Sequence, residues 1–482
     1  MSERLARAVT STRAGALLAA AAVVVQTLWL AQRYPSAYLD ADLLSYLAYW
    51  RDLVAGAPQP FGYTVPKPLP VLLFGPLGDP RLAFAVSVLI AAAGGAFAHL
   101  VVRRAFGVVA AWIATLLYVV DPMRGVLTLR SSADLIVGVA LLGAVLALQR
   151  RAVVWAGVAI LLAALGKPLA IACVLVLPLA TFASPRRRVL AMLLPLLALP
   201  AASCLDAALA GRPVWMGLVR PTLPDEHELF VRVAQARVLG LGETVDLIVK
   251  QWFGGTLFAH TWPLVVLGLA AWALLVVRQR AEGRAATLAL VAVPLLLALA
   301  YLGLAALHPM VMFTRFFWPL ALCASLVAAG AVAWAAERLP VARPLRVAAM
   351  VALVAALLVD RMEDHRWRAT LMLRPFETHA ALAGQAVEAI AHDAACDGAA
   401  LVPLAYLPLA AWHAPDKLKR GQLCAVEDWA EGRGCAAPTC VLFIPDAPTT
   451  ERARQAVANL VREGFVVEVG DESGALVRTG NG

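Results

Sequence analysis

The sequence predicts a mainly α-helical, polytopic membrane protein of about eleven transmembrane helices with a small C-terminal α/β domain. Three observations predict it. The 482 residues are 61% hydrophobic and only 15% charged, whereas soluble globular chains are nearer one quarter charged. The apolar residues gather into repeated runs close to the roughly 20 residues a helix needs to cross the hydrocarbon core. Arginine and lysine cluster in short pieces between those runs, and every second connection is basic, as in cytoplasmic loops. A formal net charge of +9 would alone suggest nucleic acid as a partner. Its distribution points to a membrane and no nucleic acid.

Taken in order, the segment before residue 14 carries Arg4, Arg7 and Arg13, and residues 14–32 form the first span. A positive flank before an apolar run also suits a signal peptide. The absence of a convincing cleavage site and the further spans favour a retained helix. Residues 33–80 read as a long mixed loop. Further spans are expected near 82–102, 105–120, 133–149, 152–166, 168–184, 189–208, 263–277, 286–306, 317–336 and 345–359. Basic connections hold Arg103-Arg104, Arg150-Arg151, Arg186 to Arg188, Arg278 with Arg280 and Arg284, and Arg338 with Arg343 and Arg346. These define the cytoplasmic side, with the N-terminus. An odd number of spans then puts the tail on the other side, together with the loops 33–80, 121–132, 209–262 and 307–316. The expected units are a membrane domain, 1–360, and an extracytoplasmic soluble domain, 361–482. The expected setting is a cell (inner) membrane. An Ala/Arg/Leu-rich, Lys-poor composition looks bacterial.

The cysteines add a check. Cys173, Cys204 and Cys323 lie in apolar runs and read as small packing residues. Cys396, Cys424, Cys435 and Cys440 all lie in the tail. Four cysteines outside the cytoplasm suggest two disulfides, with three pairings open. Their spacing fits a zinc site poorly. Residues 376–392 have helical periodicity. Ala400–Leu404 and Val441–Ile444 read as strands, Thr449–Glu463 as a helix, and Gly464–Gly470 with Ala475–Val477 as closing strands.

Chemistry-bearing residues concentrate in the non-cytoplasmic loops. Asp40 and Asp42 open an amphipathic stretch, 42–54, whose Leu43, Leu44, Tyr46, Leu47 and Trp50 suit the membrane interface. A carboxylate there can take a proton from a hydroxyl as that hydroxyl attacks an activated carbon. It can equally hold a divalent cation with a phosphate, or simply cap the helix. No metal ligand set is assigned. Lys67 lies between Pro66 and Pro68, which are expected to prevent a regular helix and present the ammonium on a stiff turn. It suits a phosphate or a snorkelling role. Residues 121–134 carry Asp121, Arg124, Arg130 and Asp134 where the charge rule predicts few charges. Such residues either anchor span ends or mark a substrate path. Lys167, His308 and Arg315-Phe-Phe-Trp-Pro319 place more basic groups beside aromatics on that side. Arg315 suits either a phosphate or an aromatic-belt anchor, and His308 is most simply an interfacial histidine.

In order and in sidedness these motifs resemble the GT-C superfamily of membrane glycosyltransferases. They are most similar to the protein O-mannosyltransferase and aminoarabinose-transferase branch, which uses polyprenyl-phosphate sugars. The resemblance rests on Asp40-Ala-Asp42 with Tyr46, on Lys67-Pro68-Leu69-Pro70, on Ser131-Ser132-Ala133-Asp134, and on Arg315-Phe-Phe-Trp-Pro319. It covers roughly residues 1–360. Two departures stand out: the family's usual Glu after the acidic residue is missing, and the second Pro of the lysine turn is displaced. The resemblance implies a GT-C-like fold and transfer of a sugar from a polyprenyl-phosphate donor to a lipid, glycan or protein acceptor. It implies Asp42 or Asp40 as the base, with Tyr46 favouring Asp42. It also implies Lys67 and Arg315, with Arg130 and Arg124, as ligands of the lipid phosphate, and Tyr46, Asp134 and His308 as further substrate contacts. The rival classes are a transporter or flippase of a lipid-linked or small-molecule substrate, and an assembly protein working through its tail. Transporters generally carry charges near the bilayer midplane. Here the charges gather at span ends.

Overall fold

The computed structural model describes residues 11–35, 41–55, 67–210, 237–239, 262–278, 281–307, 310–312, 314–338, 347–352, 398–402, 422–430, 438–443, 451–463, 465–470 and 474–479, with a few positions between. Asp40, His308, Cys396, Cys435, the helix expected over 376–392, most of the loop 209–262 and part of the span 345–359 lie outside the described residues.

Helices follow the apolar runs. α1 (Thr12–Arg33) starts at Ser11, whose hydroxyl accepts from the Ala14 amide. α2 (Ala41–Val54) and α3 (Pro68–Phe74) follow. α4 (Pro80–Phe106) begins on an Asp79 cap, with Pro80 where a missing N–H costs nothing. α5 (Val108–Val119) and α6 (Pro122–Leu129) form one bent pair, turned by 53°. Pro122 cannot continue the hydrogen-bond ladder, so the break falls there. α7 (Ala133–Gln149) and α8 (Val153–Gly166) are regular. Residues Pro168–Leu179 then wind as a 3-10 run with Pro178 inside. α9 (Pro185–Leu193) and α10 (Ala198–Ala210) continue through a short 3-10 link. After β1 (Arg237–Leu239) come α11 (Trp262–Arg278), α12 (Ala281–Leu307), β2 (Met310–Met312) and α13 (Trp318–Arg338).

Each expected span from 14–32 to 317–336 coincides with a helical segment. Among the described residues, five segments are long and apolar enough to cross a membrane: Thr12–Arg33, Pro80–Phe106, Pro185–Leu205, Thr287–Leu304 and Arg315–Trp334. The bent pair makes a sixth. Ala133–Gln149, Val153–Gly166 and Pro168–Leu179 are apolar but shorter; Arg150-Arg151 follows the first and Lys167-Pro168 the second. The central element is α13. It packs against α4, α5, α7, α11 and α12 and is buried almost throughout, as a helix apolar on all sides requires.

Inside the bundle, Pro294 interrupts α12. A proline has no N–H, so the Leu290 carbonyl four residues back loses its ladder partner. The Cys323 thiol of α13 donates to that carbonyl at 3.0 Å, and the Cys173 thiol donates to Val293 at 3.3 Å. Two of the three cysteines read as packing residues therefore also satisfy backbone in an apolar interior. Cys204 lies on an exposed face.

The tail holds a five-stranded mixed sheet of order β4-β3-β5-β7-β6. Its strands are β3 (Ala399–Val402), β4 (Leu423–Ala425), β5 (Pro438–Phe443), β6 (Phe465–Gly470) and β7 (Gly474–Thr479). β4 and β5 flank β3 in parallel, whereas β7 runs antiparallel to β5 and β6. α14 (Val426–Ala430) and α15 (Glu451–Arg462) complete it. Successive strand residues point to opposite faces. Leu401 and Val441 pack with Val457 and Leu460 of α15. Ala400, Val402, Leu423, Ala425, Cys440 and Leu442 belong instead to the apolar cluster that contains Leu43, Leu44, Tyr46 and Leu47 of α2. Cys424 and Cys440 are both disulfide-bonded. They point to opposite faces of strands separated by β3, so they do not bond each other. The sequence reading missed β4 and α14, which are three and five residues long.

α2 departs from the amphipathic interface helix expected. Residues 43–49 are buried on every side, packed by α3 and the 3-10 turn Gly75–Leu77. A Cβ on Gly75 would lie 2.2 Å from that of Trp50, so only glycine permits this approach.

Candidate functional site

Six stretches of chain bring charged groups to one end of the bundle. Asp42 stands in the first turn of α2, and Tyr46 lies one turn on. Lys67 is the N-cap of α3. The expected proline-imposed turn is instead a helix start: Pro68 and Pro70 fall in the first turn of α3, where their missing N–H groups are not needed. The Lys67 backbone is extended, as a residue before proline requires. Arg130 ends α6, and Asp134 stands in the first turn of α7. Between them Ser131 adopts φ 46°, a left-handed conformation uncommon outside glycine. That kink lets the Ser132 hydroxyl cap α7, accepting from the Asp134 amide at 3.3 Å and donating to its carboxylate at 3.4 Å. Lys167 follows α8. Arg315 and Phe316 lie in the 3-10 turn Thr314–Phe317 that opens α13.

The groups alternate in sign. The Arg315 guanidinium bridges two carboxylates, 3.3 Å from Asp42 and 3.5 Å from Asp134. Asp134 also pairs with Lys167. The Lys167 ammonium lies 3.3 Å from the centre of the Phe316 ring, an attractive cation–π arrangement. Phe316 stacks on Tyr301 of α12 with centroids 5.2 Å apart. Lys67 donates to the Tyr46 hydroxyl at 3.1 Å. The side chains of Arg315 and Asp42 are only 15% and 14% exposed.

Electrostatics fix the protonation states. Burial alone would raise the Asp42 pKa. The Arg315 guanidinium, followed by Lys67, Arg130 and Lys167, outweighs burial and holds the carboxyl well below the usual range. Burial disfavours a charged Lys67, but Tyr46, Asp42 and Asp134 outweigh it and push its pKa above the ordinary lysine value. Burial pushes the Tyr46 phenol up. At neutral pH the site is Asp42 carboxylate, Tyr46 phenol and Lys67 ammonium.

The sequence-predicted residues divide. Asp42, Tyr46, Lys67, Arg130, Asp134 and Arg315 come together. Arg124 does not. Its guanidinium is fully buried and donates to the Tyr118 and Val119 carbonyls, to Thr27 Oγ1 at 2.9 Å and to Gln26. It ties α1 to the break between α5 and α6. Lys167 was read from sequence only as a basic residue on the same side, yet it pairs directly with Asp134. Its signal was a lone lysine closing an apolar run before a proline. β1 pairs antiparallel with β2, Val238 opposite Val311, so the loop 209–262 is joined to the chain three residues before Arg315. Among the described residues no three His, Cys, Asp or Glu side chains gather as a metal set. A narrow, half-open apolar crevice of about 20 Å³ lies between α7, α12 and α13. It is lined by Gly138, Leu141, Leu142 and Val145 on α7 and by Pro319, Leu322, Cys323 and Leu326 on α13. Both sets follow i, i+3, i+4, i+7 spacing, so each is one helix face. The crevice starts one turn beyond Asp134 and Arg315.

This arrangement of helices is shared with solved structures of GT-C membrane glycosyltransferases. Two crystal structures of ArnT from Cupriavidus metallidurans, an aminoarabinose transferase, share it. The one bound to undecaprenyl phosphate matches with a TM-score of 0.54 at 14% identity, over 94% of this chain and 97% of that chain. The apo structure matches with a TM-score of 0.55 at the same identity and coverage. The apo oligosaccharyltransferase of Archaeoglobus fulgidus aligns with a TM-score of 0.48 at 14% identity, over 85% of this chain and 64% of that chain. No protein-family model matches this sequence, and no curated protein matches it.

Proposed function

We propose that this chain is an integral membrane glycosyltransferase. It transfers a sugar from a polyprenyl-phosphate donor to a lipid, glycan or protein acceptor on the extracytoplasmic side, with residues 1–360 as the catalytic membrane domain. One observation carries the reading: an enclosed cluster of Lys67, Arg130, Lys167 and Arg315 around Asp42 and Asp134, in the fold of a protein crystallised with undecaprenyl phosphate. The tail disulfides and the alternating basic loops favour the extracytoplasmic side for the tail and for the site.

The chemistry follows from the charges. The acceptor hydroxyl oxygen forms a bond to the anomeric carbon as the bond from that carbon to the phosphate oxygen breaks. The bonding pair leaves with the phosphate, and Lys67, Arg315 and Arg130 stabilise the charge that develops there. Asp42 takes the hydroxyl proton, and one base suffices for inversion. An incoming phosphate claims part of the Arg315 and Lys67 charge, which loosens their hold on Asp42 and makes it a stronger base when substrate is bound. Asp134, held by Lys167, keeps Arg315 aimed at the site.

The test is sugar release from a decaprenyl-phosphate sugar by purified protein with cell-envelope acceptors. Asp42→Asn is expected to lower turnover by about 10²- to 10⁴-fold, the range one acid–base group contributes, while the donor still binds. Unchanged turnover in Asp42→Asn would reject its role as base.

A further inference from the structure

We infer that Asp121 and Trp318, neither of which touches the proposed substrate site, are positioning residues that latch Arg315 between its two carboxylates. Trp318 is the third residue after Arg315 and opens α13. Its indole N–H donates to Asp121 Oδ2 at 3.1 Å, with both side chains buried. The other oxygen, Oδ1, accepts from the Arg124 amide at 3.1 Å and caps α6. The carboxylate thus joins the start of α13 to the bend before α6, two segments 197 residues apart. The flat side of the latch is Gly138. A Cβ there would lie 2.2 Å from the Trp318 ring, so the indole rests directly on the α7 backbone. Gly138 is four residues after Asp134, and Trp318 is three after Arg315. The indole therefore fixes how far α13 slides along α7, which is the coordinate that sets the 3.5 Å between Arg315 and Asp134.

The inference predicts a change in the geometry of Arg315 whether or not a lipid is bound, and it rests on the proposed donor site only for its effect on binding. Two measurements on full-length protein in detergent test it. The first is the rate of phenylglyoxal modification of Arg315, followed by peptide mass spectrometry. Trp318→Phe removes both halves of the latch, the N–H that reaches Asp121 and the benzo ring that rests on Gly138. It is expected to speed modification of Arg315 about fivefold, within the coupling range of contacting residues, while the buried Arg124 stays protected. An unchanged Arg315 rate, or Arg124 modified in step with it, overturns the latch. The second is binding of decaprenyl phosphate. Trp318→Phe is expected to weaken it about tenfold, equivalent to about 1.4 kcal/mol, but to have no further effect in an Arg315→Gln background. Equal weakening in both backgrounds indicates a general packing defect and also overturns it. If neither wild type nor Arg315→Gln binds decaprenyl phosphate, the donor-site reading fails, and the modification rates still decide the latch.

Discussion

Replacing Arg315 with glutamine removes the charge that bridges Asp42 and Asp134. At 3.3 Å and 3.5 Å, with an effective dielectric constant of about 20, each contact carries a gross attraction of about 5 kcal/mol. Most of that repays desolvation of the ions. Breaking a buried pair from one side typically costs about 3–5 kcal/mol. The lower end applies here, because Asp134 retains Lys167 and Asp42 retains Lys67, Arg130 and Lys167 nearby. The expected loss is about 3 kcal/mol at neutral pH, read from the free energy of unfolding in mixed micelles. Its pH dependence is the sharper check. The Asp42 pKa is lowered in the folded protein, so its stabilisation is fully present above the unfolded value of about 3.9 and is lost as pH falls through the lower folded value. The gap between wild type and Arg315→Gln should be widest above pH 5 and narrow progressively below about pH 4. A loss under about 1 kcal/mol, the worth of an exposed pair, or a gap that widens in acid, would refute the ion-pair account.

Three further outcomes follow from the geometry. Lys67→Met should weaken decaprenyl phosphate binding tenfold or more, since a charged hydrogen bond contributes about 1.5–3 kcal/mol, whereas Tyr46→Phe should change it by no more than about threefold; isothermal titration distinguishes the two. Arg124→Leu removes the donor to the Val119 carbonyl and to Thr27, and leaves the Tyr118 carbonyl only the long bond from the Asp121 amide at 3.4 Å. It should cost about 3 kcal/mol or more of stability, seen as a lower melting temperature, while the protein that remains folded binds decaprenyl phosphate as wild type does. Cys323→Ala should destabilise by about 1–2 kcal/mol by leaving the Leu290 carbonyl without a donor, and Cys323→Ser should not; matched unfolding curves decide it.

Much of the site was legible because its residues interrupt apolar runs. A charge at a span boundary stands out, and Asp42, Lys67, Asp134 and Arg315 were each visible that way. Sequence could not show which charges meet. Arg124 and Arg130 read alike, as two arginines in one short loop. The Asp121-Pro122 start of α6 places Arg124 in a first turn facing α1 and Arg130 at the helix end facing α2. The cap signature was in the sequence, but the direction of the helix was not. Lys167 stood out as a lone lysine before a proline, but its pairing with Asp134 arises because α8 ends beside α7, a tertiary fact that no local pattern carries. α2 looked amphipathic, yet it is buried all round, packed by α3 and the 3-10 turn Gly75–Leu77. Its leucines also share an apolar cluster with Ala400 and Val402, more than 300 residues away, where no local pattern reaches. The 3-10 winding of Pro168–Leu179 was invisible to an apolar count, which does not register residues per turn.

The proline in α12 and the thiol in α13 constrain how this sequence can drift. Changing Pro294 to alanine first would return an N–H to the ladder and give Leu290 its own partner again. Cys323 could then be exchanged freely. The reverse order passes through a chain with an orphaned carbonyl inside the bundle. The two positions are therefore historically coupled: among descendants of this protein, loss of the cysteine should be found only where the proline has already gone or another donor has taken the cysteine's place.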